Sequence, residues 1–474
     1  MALYCRRCGA EIPEGSNFCR ICGTPVQPMP SYRRPPKRRK TIFQRAWFWI
    51  LVSLCIAVIV IWPKSGQTSD REDFSSSQNS PSHEAYSESG RQEDSPVVRP
   101  PEESHFSMPP EESPVQASQS SEPNLSDVPE YVIPEEEYGY YGSLLSEDGK
   151  KAYAQFVTEL DQLQTTLIFY QIDPSEIEKA FMAIHDDYPE FFWLTSGYQW
   201  ESLTKGSQIT VTFTVTSLAS SEEIVPMRSA AVAVCQSLVD QTLEMSDYET
   251  ALFFHDYIIE TTAYDYDLAE ELDSINTLET IAGNAYGALV EHKAICEGYA
   301  RAFQWLMKER HLPCRLVKGY DINEYPGRIG HTWNIATLGG NDYHIDLTWD
   351  DSMFQDGLER LSHDYFCITT EELLETHIIR QPEDYPVCTA TEYDYFRMNG
   401  YYVGSYDYEI VADALYIQTG GFYYLKFDSA EDCSEAIDIL ISDGVFRDME
   451  GIWDAYMYYT SLNGRILTIQ IIYE

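Results

Sequence analysis

The 474-residue chain predicts an α+β fold in which a helix that opens on Cys296 packs on an antiparallel sheet. A metal-binding knuckle, one membrane-spanning helix and a small C-terminal α/β unit are expected around that centre. Three observations predict this. Apolar residues recur at helical spacing in some segments and alternate in others. A charge-free apolar run occupies 46–62, and four of the eleven cysteines crowd into the first 22 positions. With 44% hydrophobic residues the chain can build real cores, in about two to four domains.

The formal net charge of -44 is unevenly spread. Residues 1–64 hold eleven Lys/Arg against Glu11 and Glu14, about +9, which leaves about -53 on the rest. So acidic a body repels phosphate backbones, and nucleic acid is excluded as its partner. Beyond the first four cysteines and Cys55, six are scattered singly after residue 230, which is not the pattern of a disulfide framework.

The chain opens CRRCGAEIPEGSNFCRICGTPV, setting Cys5, Cys8, Cys19 and Cys22 in a C-x2-C-x10-C-x2-C pattern. Each C-x2-C pair lets two thiolates reach one ion from a tight turn, and Gly9 and Gly23 follow where the backbone folds back. A segment this short has no core without metal, so bound Zn2+ would supply its folding free energy. Four thiolates leave no open coordination position, which makes the zinc structural. Residues 1–26 resemble the zinc ribbons at the N-termini of many bacterial membrane proteins.

Basic residues fill 27–45, from Arg33 to Arg45, directly ahead of AWFWILVSLCIAVIVIW at 46–62. That run has no charge, and Trp47, Trp49 and Trp62 stand where interface anchors belong. The excess of positive charge before it predicts a single-pass protein of the cell membrane, with the knuckle in the cytoplasm and everything after the span extracellular. A cytoplasmic protein partner for the knuckle is one expectation of this layout. Ser, Glu, Pro and Gln then dominate 63–135, a disordered tether.

Order resumes at 136–245. DGKKAYAQFVTELDQL and DPSEIEKAFMAIHDD have helical periodicity, QITVTFTV alternates as a strand, and DYPEFFW at 187–193 is a compact aromatic turn. IVPMRSAAVAVCQSLVDQTL and YETALFFHDYIIETTAYD are further helices. The next region, 246–390, carries the chemistry.

Three stretches stand out there: KAICEGYARAFQWLMKERH, IGHTWNIATLGGNDYH and HIDLTWDDS. Tyr299, Ala300, Phe303, Leu306 and Met307 fall at helical spacings after Cys296, which sets the cysteine at a helix N-terminus on the buried side. The helix dipole favours a thiolate there. His331 heads a strand pattern, and YHIDLTW alternates in the same way, so Asp346 is expected on a second strand joined to the first by a GGND hairpin. From there the carboxylate could reach the imidazole and fix its tautomer. Asp350 and Asp351 are rival orienters. The Cys296 N–H is the favoured oxyanion donor, with Tyr264, Tyr286 and Trp333 as alternatives.

In this order, CEGYA, GHTWN and DLTWDD resemble the core of transglutaminase-like enzymes, of the papain-like cysteine superfamily, over about 248–352. The resemblance implies a catalytic triad of Cys296, His331 and Asp346 and a cysteine peptidase or acyltransferase acting on amide bonds of proteins or peptides at the cell surface. Proteolysis, deamidation and crosslinking are all open outcomes. Many such cores have Gly two residues before the nucleophile, where this chain has Ala294. No cofactor is implied for the reaction, and a calcium ligand string is not recognisable. His344 and His363 form no evident metal set with the acids near them in sequence. The alternative function is a non-catalytic surface adaptor on the same fold.

After this core, YFCITTEELLETH is expected as a helix. In 391–474, strands are expected at 401–408, 421–427 and 466–474 and a helix over AEDCSEAIDILISDG. The dense tyrosines fit strand packing, with a carbohydrate- or wall-binding face as the alternative.

Overall fold

The computed structural model describes residues 3–4, 11–12, 129–269, 280, 283–322, 330–351, 361–418, 421–450 and 455–472. The four N-terminal cysteines, the basic segment, the expected span at 46–62 and residues 63–128 of the tether lie outside the described residues. Among the described residues no helix is long and apolar enough to cross a membrane. The chain divides into Met1–Asn124 and Leu125–Glu474. In the first, β1 (Leu3–Tyr4) pairs antiparallel with β2 (Glu11–Ile12).

In the second unit, short helical turns at Glu135–Glu137 and Tyr140–Ser143 precede α1 (Glu147–Asp161), whose N-cap Ser146 accepts the Gly149 N–H. Then follow β3 (Thr166–Tyr170) and α2 (Pro174–Asp187), the latter started by Pro174 and an Asp173 cap. β4 (Leu194–Lys205) and β5 (Gln208–Ser217) complete a three-stranded antiparallel sheet in the order β3-β5-β4. Phe156, Phe181 and Phe213 meet between this sheet and the two helices.

Two helices lead into the central part: α3 (Ser221–Gln241) and α4 (Asp247–Thr261), each opened by a Ser–Glu capping box. β6 (Ala263–Tyr264) pairs parallel with β7 (Lys293–Ala294) just ahead of α5 (Cys296–Glu309). Ala294 is therefore a buried strand residue in extended backbone, and the positive φ of the approach is taken by His292 at 57°. That explains how the turn forms without glycine at 294.

Against α5 lies a five-stranded antiparallel sheet in the order β11-β10-β9-β8-β12: β8 (Cys314–Asp321), β9 (His331–Leu338), β10 (Asn341–Ile345), β11 (Phe366–Ile368) and β12 (His377–Ile379). The β9–β10 hairpin turns at Gly339 and Gly340, with φ of +56° and +84°. One hydrophobic cluster runs from Ala152 through Phe303 and Trp305 to Phe366.

Three expectations need correction. β10 ends at Ile345, and Asp346 caps a one-turn helix, α6 (Leu347–Asp350), because its Oδ1 accepts the N–H groups of Thr348 and Trp349. The segment expected as one helix begins as β11, since Phe366, Cys367 and Ile368 are all buried against β10, and only Thr370–Leu373 is helical. The strand expected at 401–408 is confined to β13 (Tyr402–Gly404), where Asp407 caps a helix over Tyr408–Tyr416. β14 (Phe422–Phe427), β15 (Ala455–Ser461) and β16 (Ile466–Ile472) complete a sheet ordered β13-β14-β16-β15. Lys426 on β14 is 1% exposed and reaches Asp394 at 2.5 Å and Glu372 at 2.7 Å.

Candidate active site

Helix α5 places Cys296 at its first turn. Ile295 precedes it in extended backbone and offers no side-chain cap; its carbonyl accepts the Gly298 and Tyr299 N–H groups, which leaves those of Cys296 and Glu297 as the ones at the helix start that no cap side chain claims. The apolar face of Tyr299, Ala302, Phe303 and Leu306 is fully buried and sets the helix on the sheet. Asn334 of β9 donates from Nδ2 to the Ala300 carbonyl at 3.0 Å, which ties the strand bearing His331 to the helix bearing Cys296.

The structure brings Cys296, His331 and Asp346 together. His331 Nε2 lies 2.5 Å from Asp346 Oδ2. With Nε2 so engaged, Nδ1 is the nitrogen left for the sulfur, and the ring also shares a hydrogen bond with Cys296. Burial opposes charging this imidazole, but the Asp346 charge and the bonds to Asp346 and Cys296 outweigh it and raise the ring to about 10. Asp346 is 1% exposed. Burial alone would raise its carboxyl, yet His331 and His377 hold it well below the usual carboxylate range.

His377 has no sequence signal, standing 31 residues from Asp346 outside any motif. It is fully buried on the edge strand β12, and its Nε2 meets the same Asp346 oxygen at 3.2 Å. Its Nδ1 faces the Thr376 hydroxyl at 2.8 Å. Trp333, two residues after His331 on the same strand face, stacks on that ring at 5.6 Å between centroids. The Trp333 indole N–H donates to His344 Nδ1 at 3.1 Å, and His344 Nε2 meets Thr370 Oγ1 at 3.0 Å. Burial and the neighbouring His377 push His344 down to about 3, so it is a neutral acceptor.

The other candidates are engaged elsewhere. Asp350 Oδ2 faces His255 Nε2 at 3.0 Å, Asp351 accepts from the Tyr299 hydroxyl at 2.7 Å, and the Trp333 N–H is taken by His344. Tyr286 stacks on Phe192. Burial pushes the thiols of Cys314, Cys388 and Cys433 up to about 12, which leaves them inert.

Cys296 and His331 border a cleft of about 540 Å³. Tyr188, Phe191 and Phe192 of the DYPEFFW turn line it, together with Lys318, Gly319 and Thr332. Within it Arg301 pairs with Glu297 at 2.7 Å, and Lys318 with Asp186 at 2.7 Å. A Cβ on Gly319 would lie 2.2 Å from the Ile378 carbonyl and 2.5 Å from the Trp333 ring, so only glycine lets β12 and the indole close in behind His331.

Residues 4–26 match the model of the zinc-ribbon domain, and residues 236–346 match that of the transglutaminase-like superfamily. The chain thus carries a transglutaminase-like core and an N-terminal zinc ribbon. No curated protein matches it. Among solved structures, a TGase is similar at 14% identity over 35% of this chain and 48% of that chain, with a TM-score of 0.25. The match thus spans about half the length of that TGase. A protein of Cytophaga hutchinsonii described as a candidate cysteine protease is similar at 16% identity over 41% and 71% of the two chains, with a TM-score of 0.22. A candidate protease of Parabacteroides distasonis is similar at 10% identity over 36% and 41%, with a TM-score of 0.17.

Proposed function

We propose that the protein is a cysteine enzyme acting on amide bonds of proteins or peptides, with Cys296 as nucleophile, His331 as general base and acid, and Asp346 as the group that orients the ring. The observation that carries this is the His331 imidazole held between the Cys296 sulfur and the buried Asp346 carboxylate. In the first step the Cys296 sulfur bonds to the carbonyl carbon with its proton held on His331, whose ring Asp346 keeps charged. The N–H groups at the start of α5 receive the oxyanion. The C–N bond then breaks, His331 gives its proton to the leaving amine, and a thioester remains. Water or a second amine attacks the thioester and returns the sulfur. Water gives hydrolysis or deamidation, and an amine gives a crosslink.

The setting of this activity is the outer surface of the cell membrane. The apolar run at 46–62 and the basic residues before it support a single-pass anchor with the ribbon in the cytoplasm. Cys5, Cys8, Cys19 and Cys22 hold a structural zinc in that ribbon, and a cytoplasmic protein is its partner.

The test is mass spectrometry of cell-surface proteins incubated with the full-length protein and with Cys296→Ala. Cleavage, deamidation and isopeptide products have distinct masses, and their appearance only with the wild type supports the enzyme. Identical product sets from both proteins sink it in favour of the adaptor.

A further inference from the structure

A second cluster of titratable side chains lies outside the candidate active site. His255 and Asp256 are consecutive in α4, and His363 stands just ahead of β11. Their ligand atoms all lie within 4.8 Å of one another. Asp256 Oδ1 is 2.9 Å from His255 Nδ1 and 2.9 Å from His363 Nε2, so one carboxylate oxygen faces two ring nitrogens. We propose that His255 Nδ1, Asp256 and His363 Nε2 hold a zinc ion, and that this ion braces the turn that carries Asp346.

The surroundings are those of a metal ligand set. His255 is fully buried, and its far nitrogen, Nε2, faces the fully buried Asp350 carboxylate at 3.0 Å. With an ion bound, the Nε2 proton stays shared with Asp350 and Nδ1, which now faces Asp256 Oδ1 at 2.9 Å, gives its lone pair to the metal, the carboxylate–histidine pairing that orients metal-bound imidazoles. His363 is fixed by stacking on Tyr395, with centroids 3.8 Å apart and planes 5° from parallel. Two imidazoles and one carboxylate are the donor set of open zinc sites, and spreading atoms now about 3 Å apart around bonds of about 2 Å needs little movement. The Asp256 side chain is a third exposed, which gives the ion an entrance and room for a water ligand.

Asp350 links this cluster to the triad. It ends the single turn that Asp346 caps, with its N–H donating to the Asp346 carbonyl at 3.1 Å. Its Oδ1 accepts the Tyr365 N–H at 3.0 Å, and its carbonyl accepts the Ser362 N–H at 2.9 Å. Metal on His255 and His363 therefore fastens α4 and the 361–365 segment to both sides of Asp350. The metal binding itself does not depend on any chemistry at Cys296.

Elemental analysis of the full-length protein, equilibrated with buffered micromolar free zinc and desalted, tests this. A protein carrying C5S, C8S, C19S and C22S removes the ribbon site and should retain about one equivalent of zinc. Adding Asp256→Asn or His363→Gln should bring this to about zero with unchanged near-UV circular dichroism, while adding His377→Ala should not. Two variants are used so that a failure of His363→Gln to fold still leaves the isosteric Asp256→Asn. The proposal is overturned if the ribbon-less protein holds no zinc, if zinc survives Asp256→Asn, or if His377→Ala alone removes it, which would assign the ion to the triad cluster.

Discussion

The Asp346 carboxylate turns one oxygen toward two imidazoles: Oδ2 lies 3.2 Å from His377 Nε2 while it also meets His331. For the proposed reaction His377 is therefore a positioning residue that acts through Asp346. His377→Gln is expected to lower kcat by about 10- to 100-fold with KM little changed, against about 1000-fold or more for His331→Ala. Steady-state kinetics on a peptide amide, with the alkaline limb of the pH profile measured alongside, checks this; an unchanged profile assigns His377 a packing role only.

The triad makes stability depend on pH in two windows. Asp346 is depressed in the folded state, so its contribution is present above about pH 4, the unfolded carboxyl range, and is lost as pH falls through its lower folded value. His331 is raised to about 10, so its contribution is full below about pH 6.5 and is lost as pH rises through about 10. Urea unfolding followed across pH should show both limbs in the wild type. Asp346→Asn should remove the acid limb and shrink the alkaline one, since Asp346 is the largest of the influences that raise His331, Cys296 being the other.

Asp187 predicts the opposite slope. It accepts the Gly142 N–H at 2.7 Å, the Tyr141 N–H at 3.1 Å and the Tyr153 hydroxyl at 3.1 Å, yet burial outweighs these and pushes its carboxyl up to about 7. The folded state holds this proton where the unfolded chain has released it. Stability from this group therefore falls as pH rises from about 4 to about 7. Asp187→Asn should remove that fall, measured as the urea midpoint between pH 4.5 and 7.5.

Gly319→Ala is expected to cost about 1–3 kcal/mol, because the new methyl meets the Ile378 backbone and the Trp333 ring, neither of which can swing away. Activity should fall by more than stability accounts for, since Trp333 stacks on His331. Thermal melting beside kcat/KM at a temperature well below the transition separates the two effects.

Lys426→Ala is expected to cost about 3–5 kcal/mol by leaving Asp394 and Glu372 buried without their cation. Lys426→Met, which keeps the stem but not the charge, should do little better. A melt within a degree of wild type would show that the pair is solvated.

Much of the site was legible in the residues themselves. The residues after Cys296 predict a helix opening on it because apolar side chains recur at helical spacing, and GGND predicts the β9–β10 hairpin because glycine takes positive φ there. YHIDLTW goes on alternating after the backbone has turned, so its period predicts a strand through Asp346, and capping by a side chain leaves no mark on that period. β11 is three residues long, too short for any periodicity to register. His377 and the pairing of His363 with Asp256, 107 residues apart, arise from strand order and loop path, which local pattern does not encode.

Every bonding direction of the Asp346 carboxylate is spoken for: two backbone amides grip Oδ1 and two rings grip Oδ2. It is a fixed hub that cannot rotate without breaking a helix cap. Any widening of the cleft to admit a bulky chain is then left to its other lining residues, Tyr188, Phe191 and Phe192 of the aromatic turn among them, while the Asp346 hub stays where it is.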